Sequence, residues 1–284
     1  MVPVDHASQL RRRDRARAWR AGGAALTLLA LATTAAAGPV APIAPTGMSD
    51  LRCRLGAGQQ PFLPALPGAA RALAETGELR IVALGSSSTA GAGAGPEDRS
   101  YPALLQAELR RRLRDREVTV VNKGAGGQSA YDMVQRMEPD VFEEKPALVI
   151  WQTAANDAIR NVGEERFAKI LRKGIARLQG AGIDLVLMDL QWLPREERYP
   201  LYDDYRKVLL RTATEQGVPV FPRYAIMRNW ARSKQFSAEE IIGMDGVHLV
   251  DAGNRCLAIR LAEGIAASLT GRKSDFAEAP GASN

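Results

Sequence analysis

The stretch Leu79-Arg80-Ile81-Val82-Ala83-Leu84, followed at once by Gly85-Ser86-Ser87-Ser88-Thr89-Ala90-Gly91, decides the fold. A short apolar run that ends in small turn residues reads as a strand buried on both faces. The same alternation continues down the chain. It predicts a helix from Tyr101 to Arg116, a strand from Val118 to Val121, a helix from Ala130 to Met137 and a strand from Ala147 to Trp151. Beyond these come a helix from Glu164 to Gln179, a strand from Asp184 to Asp189, a helix from Leu201 to Gln216, a short strand from Val218 to Phe221 and a closing helix from Ala252 to Leu269. Apolar strands alternating with amphipathic helices predict an α/β fold, a three-layer α/β/α sandwich around a five-stranded parallel sheet, because crossover helices cover both faces. Ligands in such sheets bind beyond the carboxyl ends of the strands. Chemistry is therefore sought after Leu84, after Val121, after Trp151 and in the loop before the last helix.

The chain has 284 residues and a formal net charge of +6. Residues 1–37 hold six arginines against Asp5 and Asp14, so only +2 belongs to the remainder, which argues against a nucleic-acid partner. Those 37 residues read as an exported leader: an Arg-rich start, an apolar stretch from Ala21 to Ala37, and small residues before Gly38. A cleaved signal peptide and an uncleaved anchor both fit, and the anchor is the only membrane contact expected. Residues 38–70 are proline-rich and read as a linker, 71–270 as the folded domain, and 271–284 as a disordered tail. Cys53 and Cys256 either bridge or remain separate thiols. No metal site or cofactor is expected, since there is no Cys-x-x-Cys and His248 is the only histidine outside the leader.

Three strand ends carry groups suited to acyl transfer. The first offers the hydroxyl of Ser87; the second, Asn122-Lys123-Gly124-Ala125-Gly126-Gly127, offers a glycine N–H; the third, Ala154-Ala155-Asn156-Asp157, offers a carboxamide. An attacking oxygen beside preorganised donors is what a developing oxyanion requires. The base must come from Asp245-Gly246-Val247-His248, where a spacing of three lets the carboxylate turn back onto the imidazole. Gly91-Ala92-Gly93-Ala94-Gly95 fits neither dinucleotide nor Walker spacing, which weighs against a nucleotide-dependent enzyme. Asp203-Asp204 and Glu196-Glu197 read as solvated surface or helix caps.

With these blocks in order the chain resembles the SGNH, or GDSL-type, hydrolases. The resemblance covers roughly residues 79–268 and implies their flavodoxin-like fold. It makes Ser87 the nucleophile (in Gly85-Ser86-Ser87-Ser88-Thr89), Gly127 an oxyanion donor (in Asn122-x-Gly124-x-x-Gly127), Asn156 another, and Asp245 with His248 the remaining triad members. The Ser86 N–H is taken as a third oxyanion donor. Two positions depart from the family pattern: Ser86 stands for its acidic residue, and the glycine before Asn156 is replaced around Ala154-Ala155. The implied activity is hydrolysis of short acyl esters, including O-acetyl groups on carbohydrate. An O-acyltransferase or a non-catalytic carbohydrate-binding envelope protein are the alternatives on the same fold.

Overall fold

A computed structural model describes residues 51–55 and 63–270; the leader, most of the linker and the tail lie outside these residues. Five strands form one sheet: β1 (Glu78–Gly85), β2 (Glu117–Gly124), β3 (Leu148–Gln152), β4 (Asp184–Met188) and β5 (Val220–Phe221). Their order is β2-β1-β3-β4-β5 and every pairing is parallel. After β1 the chain moves to one side for β2 and crosses back to the other for β3. The crevice of the fold therefore opens at the carboxyl ends of β1 and β3.

Ten α-helices with assigned bounds among the described residues flank the strands: α1 (Pro67–Thr76), α2 (Ser87–Ala90), α3 (Tyr101–Arg112), α4 (Ala130–Gln135), α5 (Ala155–Ile159), α6 (Glu164–Gly180), α7 (Tyr202–Glu215), α8 (Arg223–Arg232), α9 (Ala238–Ile241) and α10 (Asp251–Thr270). Side chains that alternate along β1 divide between two cores. Ile81 and Ala83 join residues of α3, α8 and α10, whereas Val82 and Leu84 join residues of α4, α6 and α7. α6 shows why the helices lie where they do. Its Phe167, Leu171, Ile175 and Leu178 recur at helical spacing and are buried, while Glu164 and Glu165 occupy the first turn, where carboxylates suit the helix dipole. No helix among the described residues is long and apolar enough to cross a membrane.

The expected linker is partly core. Cys53, Leu55, Leu63 and Leu66 are buried, and α1 begins at Pro67, so the domain takes in residues before 71. Proline at the first position of a helix fits its backbone, and here that made a helix start read as tether. The first-turn N–H of Ala69 donates to Oδ2 of Asp184 at 2.8 Å, which fastens α1 to β4. α8 was not foreseen either, because it follows Pro222 and opens on the wholly buried Arg223.

Cys53 and Cys256 form a disulfide across 203 residues of sequence, with Cα atoms 5.0 Å apart. This resolves the two readings in favour of the bridge and ties the segment before α1 to α10. Closing so long a loop restricts the unfolded chain, so reduction should cost about 2–4 kcal/mol in unfolding free energy. Urea unfolding with and without a thiol reductant measures this, and Cys256→Ser should show the same loss.

Candidate active site

Ser87 opens α2 immediately after β1 and Ser86, so its hydroxyl stands at the sheet's carboxyl edge. His248 Nε2 lies 2.7 Å from Ser87 Oγ, and His248 Nδ1 lies 2.6 Å from Asp245 Oδ2. The three residues thus form one hydrogen-bonded chain. Its base loop is closed on itself: the N–H of Gly243 donates to the carbonyl of His248 at 2.8 Å, and Ile242 bridges Leu249 in antiparallel fashion. Asn254 in α10 adds a donor to the Leu249 carbonyl at 2.9 Å.

Asp245 serves the imidazole with one oxygen and the loop with the other. Its Oδ1 accepts from the N–H groups of Val247 and His248, both at 2.9 Å. Partial burial pushes this carboxyl up, but those two N–H groups and the imidazole outweigh it and hold the group below the usual carboxylate range.

A cleft of about 210 Å³ opens over this chain. Ser87, Asn156 and His248 line it with polar groups, and Ala155, Ile159 and Val247 supply apolar wall. Asn156 donates from Nδ2 to the carbonyl of Gln128 at 2.8 Å, which joins the third strand end to the loop that carries Gly127. Gly127 has φ +73°, a conformation that glycine adopts without strain. Gly124, at the end of β2, has a different reason to be glycine: a Cβ there would run into the backbone of Thr89 and Ala90.

The structure corrects one oxyanion assignment. The Ser86 N–H donates to Gln152 Oε1 at 2.9 Å, and Ser86 Oγ and Thr89 Oγ1 converge on the same oxygen, each at 3.0 Å. That donor is committed inside the protein. The N–H of Ser87, at the first position of α2, has no intrahelical acceptor and is the adjacent group left for a ligand. Buried Gln152 supplies the oxygen that organises the loop, in place of an acidic side chain at Ser86. At the other departure Ala154 keeps φ +76°, the conformation a glycine would adopt freely, at a cost for its β-carbon on the order of 1–3 kcal/mol.

Sequence reasoning missed Gln152, Arg136, Gln191 and Asp157. Gln191 lines the cleft; its Oε1 accepts from buried Arg223 at 2.7 Å, and its Nε2 reaches the carbonyl of Val247 at 3.4 Å. Asp157, beside Asn156, accepts the N–H of Ala130 at 3.0 and 3.2 Å and so ties α5 to the start of α4. Only its place in the Asn-Asp pair signalled this. A second cavity of about 210 Å³, lined in part by Arg195, Arg198, Tyr199 and Met244, shares Asp245 with the cleft. Trp151 is core, as its strand position implied.

The chain matches the non-GDSL lipase-like family over residues 52–271. An arylesterase of Vibrio mimicus is 29% identical over 146 residues, which is 50% of this chain and 70% of that protein. The acetylxylan esterase Axe2 of Geobacillus stearothermophilus superposes with a TM-score of 0.57 at 22% identity, covering 66% of this chain and 94% of Axe2. A lipase/acylhydrolase of Enterococcus faecalis gives 0.56 at 23% identity, covering 69% of this chain and 100% of its own. These solved structures share the fold, and the family match bears out the resemblance to SGNH-type hydrolases.

Burial pushes Asp157 up to about 6, against the hydrogen bonds from Ala130 and from its own N–H. A native carboxyl that holds its proton more tightly than the unfolded one loses stability as pH rises from about 4 to about 6. Asp157→Asn should flatten the fall in unfolding free energy across that window by up to ~1.4 kcal/mol per pH unit. Denaturant unfolding at a series of pH values gives the slope directly.

Proposed function

The chain belongs to the non-GDSL lipase-like family, and on that premise we propose that it is an exported serine esterase that removes short acyl groups, O-acetyl groups on carbohydrate among them. The observation that carries this reading is the unbroken chain Asp245–His248–Ser87, with 2.6 and 2.7 Å links, at the floor of an open cleft. His248 Nε2 takes the proton of Ser87 Oγ as that oxygen attacks the ester carbonyl. The negative charge that gathers on the carbonyl oxygen meets Nδ2 of Asn156 and the N–H groups of Gly127 and Ser87. His248 then returns its proton to the departing alcohol, and water repeats the sequence on the acyl-enzyme to release the acid. Asp245 holds the imidazole in the tautomer that leaves Nε2 free to accept.

The cleft supports a small acyl group. Ala155, Ile159 and Val247 provide a short apolar wall, and the space is only about 210 Å³. Carbohydrate as the alcohol draws support from the acetylxylan esterase on the same fold. Export draws support from the Arg-rich, then apolar, leader of residues 1–37 and from the Cys53–Cys256 bridge, which an oxidising compartment favours.

A fluorophosphonate probe should label the purified protein at Ser87, and Ser87→Ala should abolish labelling while lowering hydrolysis of a p-nitrophenyl acetate ester on the order of 10⁴-fold or more. A protein that binds carbohydrate without chemistry would leave the probe unreacted, and parental turnover by Ser87→Ala would overturn the scheme. Asn156→Ala removes one oxyanion donor and should reduce kcat by roughly 10²–10³-fold, with steady-state kinetics as the check.

A further inference from the structure

We propose that Arg136 is the positioning residue that sets the oxyanion loop against the nucleophile loop. The inference rests on the esterase reading and adds to it a residue that touches neither substrate nor reacting atoms. Arg136 caps the carboxyl end of α4. Its Nη2 donates to the carbonyl of Gly85 at 2.8 Å and to that of Lys123 at 2.9 Å. Its Nε donates to Gln128 Oε1, and its Nη1 pairs with the Asp140 carboxylate. One planar group therefore grips the residue two before Ser87, the penultimate residue of β2, and the residue after Gly127.

Gln128 is held from both ends as a result. Arg136 fixes its side chain, and Asn156 Nδ2 holds its backbone carbonyl. Gly127 lies between Gln128 and the end of β2, so the same two grips confine the segment that carries its N–H. Gly85 O also accepts the N–H of Ala125 at 3.0 Å, so the strand end and the loop share one acceptor under the same guanidinium. The arrangement needs the fork of an arginine. Its five donors lie in one plane and reach four acceptors at fixed mutual angles, whereas an ammonium group is a point charge on a flexible stem. Asp140 balances the charge, and Lys123 lies near the same carboxylate at 3.9 Å.

Misplacing a donor by about 1 Å is enough to cost on the order of 10²-fold in rate. Arg136→Ala should therefore lose kcat on that order for p-nitrophenyl acetate, with KM within about twofold and the chain folded by circular dichroism. Arg136→Lys keeps the charge and should recover little. Millimolar methylguanidinium should restore part of the lost kcat to Arg136→Ala and none to Ser87→Ala, which a general loss of stability would not produce. Should Arg136→Ala not fold, Gln128→Leu removes a single grip and should still lower kcat about tenfold. Independently of activity, amide exchange in Gly124–Gln128 should quicken in Arg136→Lys while β3 stays protected. Wild-type kcat in Arg136→Lys, or unchanged exchange in that loop, overturns the proposal. An unlabelled, inactive parent protein would instead overturn the esterase reading, and the exchange result would still decide whether Arg136 holds the loop.

Discussion

The hydrogen bond between His248 Nε2 and Ser87 Oγ joins points 161 residues apart, and most of the architecture bears on it. Neither end can position itself. Ser87 depends on β1 being central in the sheet, flanked by β2 and β3 in register, so that the turn after Gly85 emerges at the crevice. His248 depends on a loop closed by its own carbonyl and anchored by the start of α10, which packs with α3 over one face of the sheet. The bridge from Cys53 to Cys256 fixes α10 from outside that contact. The contact between hydroxyl and imidazole is thus a property of how two remote segments are packed, and a shift of either would open the 2.7 Å gap.

Beneath the cleft the protein buries polar groups as acceptors and donors for its loops. Gln152 Oε1 gathers three donors from the nucleophile turn. Arg223 donates to the carbonyl of Asp189 and to Gln191, while the Asp189 carboxylate accepts from Nε and Nη2 of Arg206. Burial pushes the Asp189 carboxyl up and the Arg223 guanidinium down, the sign of a desolvation cost on both groups. Such networks fix one arrangement of loops at an energetic cost in desolvation. That cost falls where the site lies, as does the positive φ of Ala154 just before Asn156.

The sequence by itself determined the alternation of strand and helix, the parallel sheet and the identities of Ser87, Asn156, Asp245 and His248, because apolar periodicity and short spacings are local properties. It could not separate a proline-started helix from a tether, and it left the two cysteines open. Only the tertiary structure decided that Cys53 meets Cys256, that the Ser86 N–H is taken by Gln152, that Arg136 spans Gly85 and Lys123, and that Gln191 lines the cleft. The physical reason is that a hydrogen-bond donor has a partner only once another strand or loop is placed beside it. Groups 13 to 66 residues apart in sequence meet here only because the parallel strands, and a helix end packed beside them, bring them together.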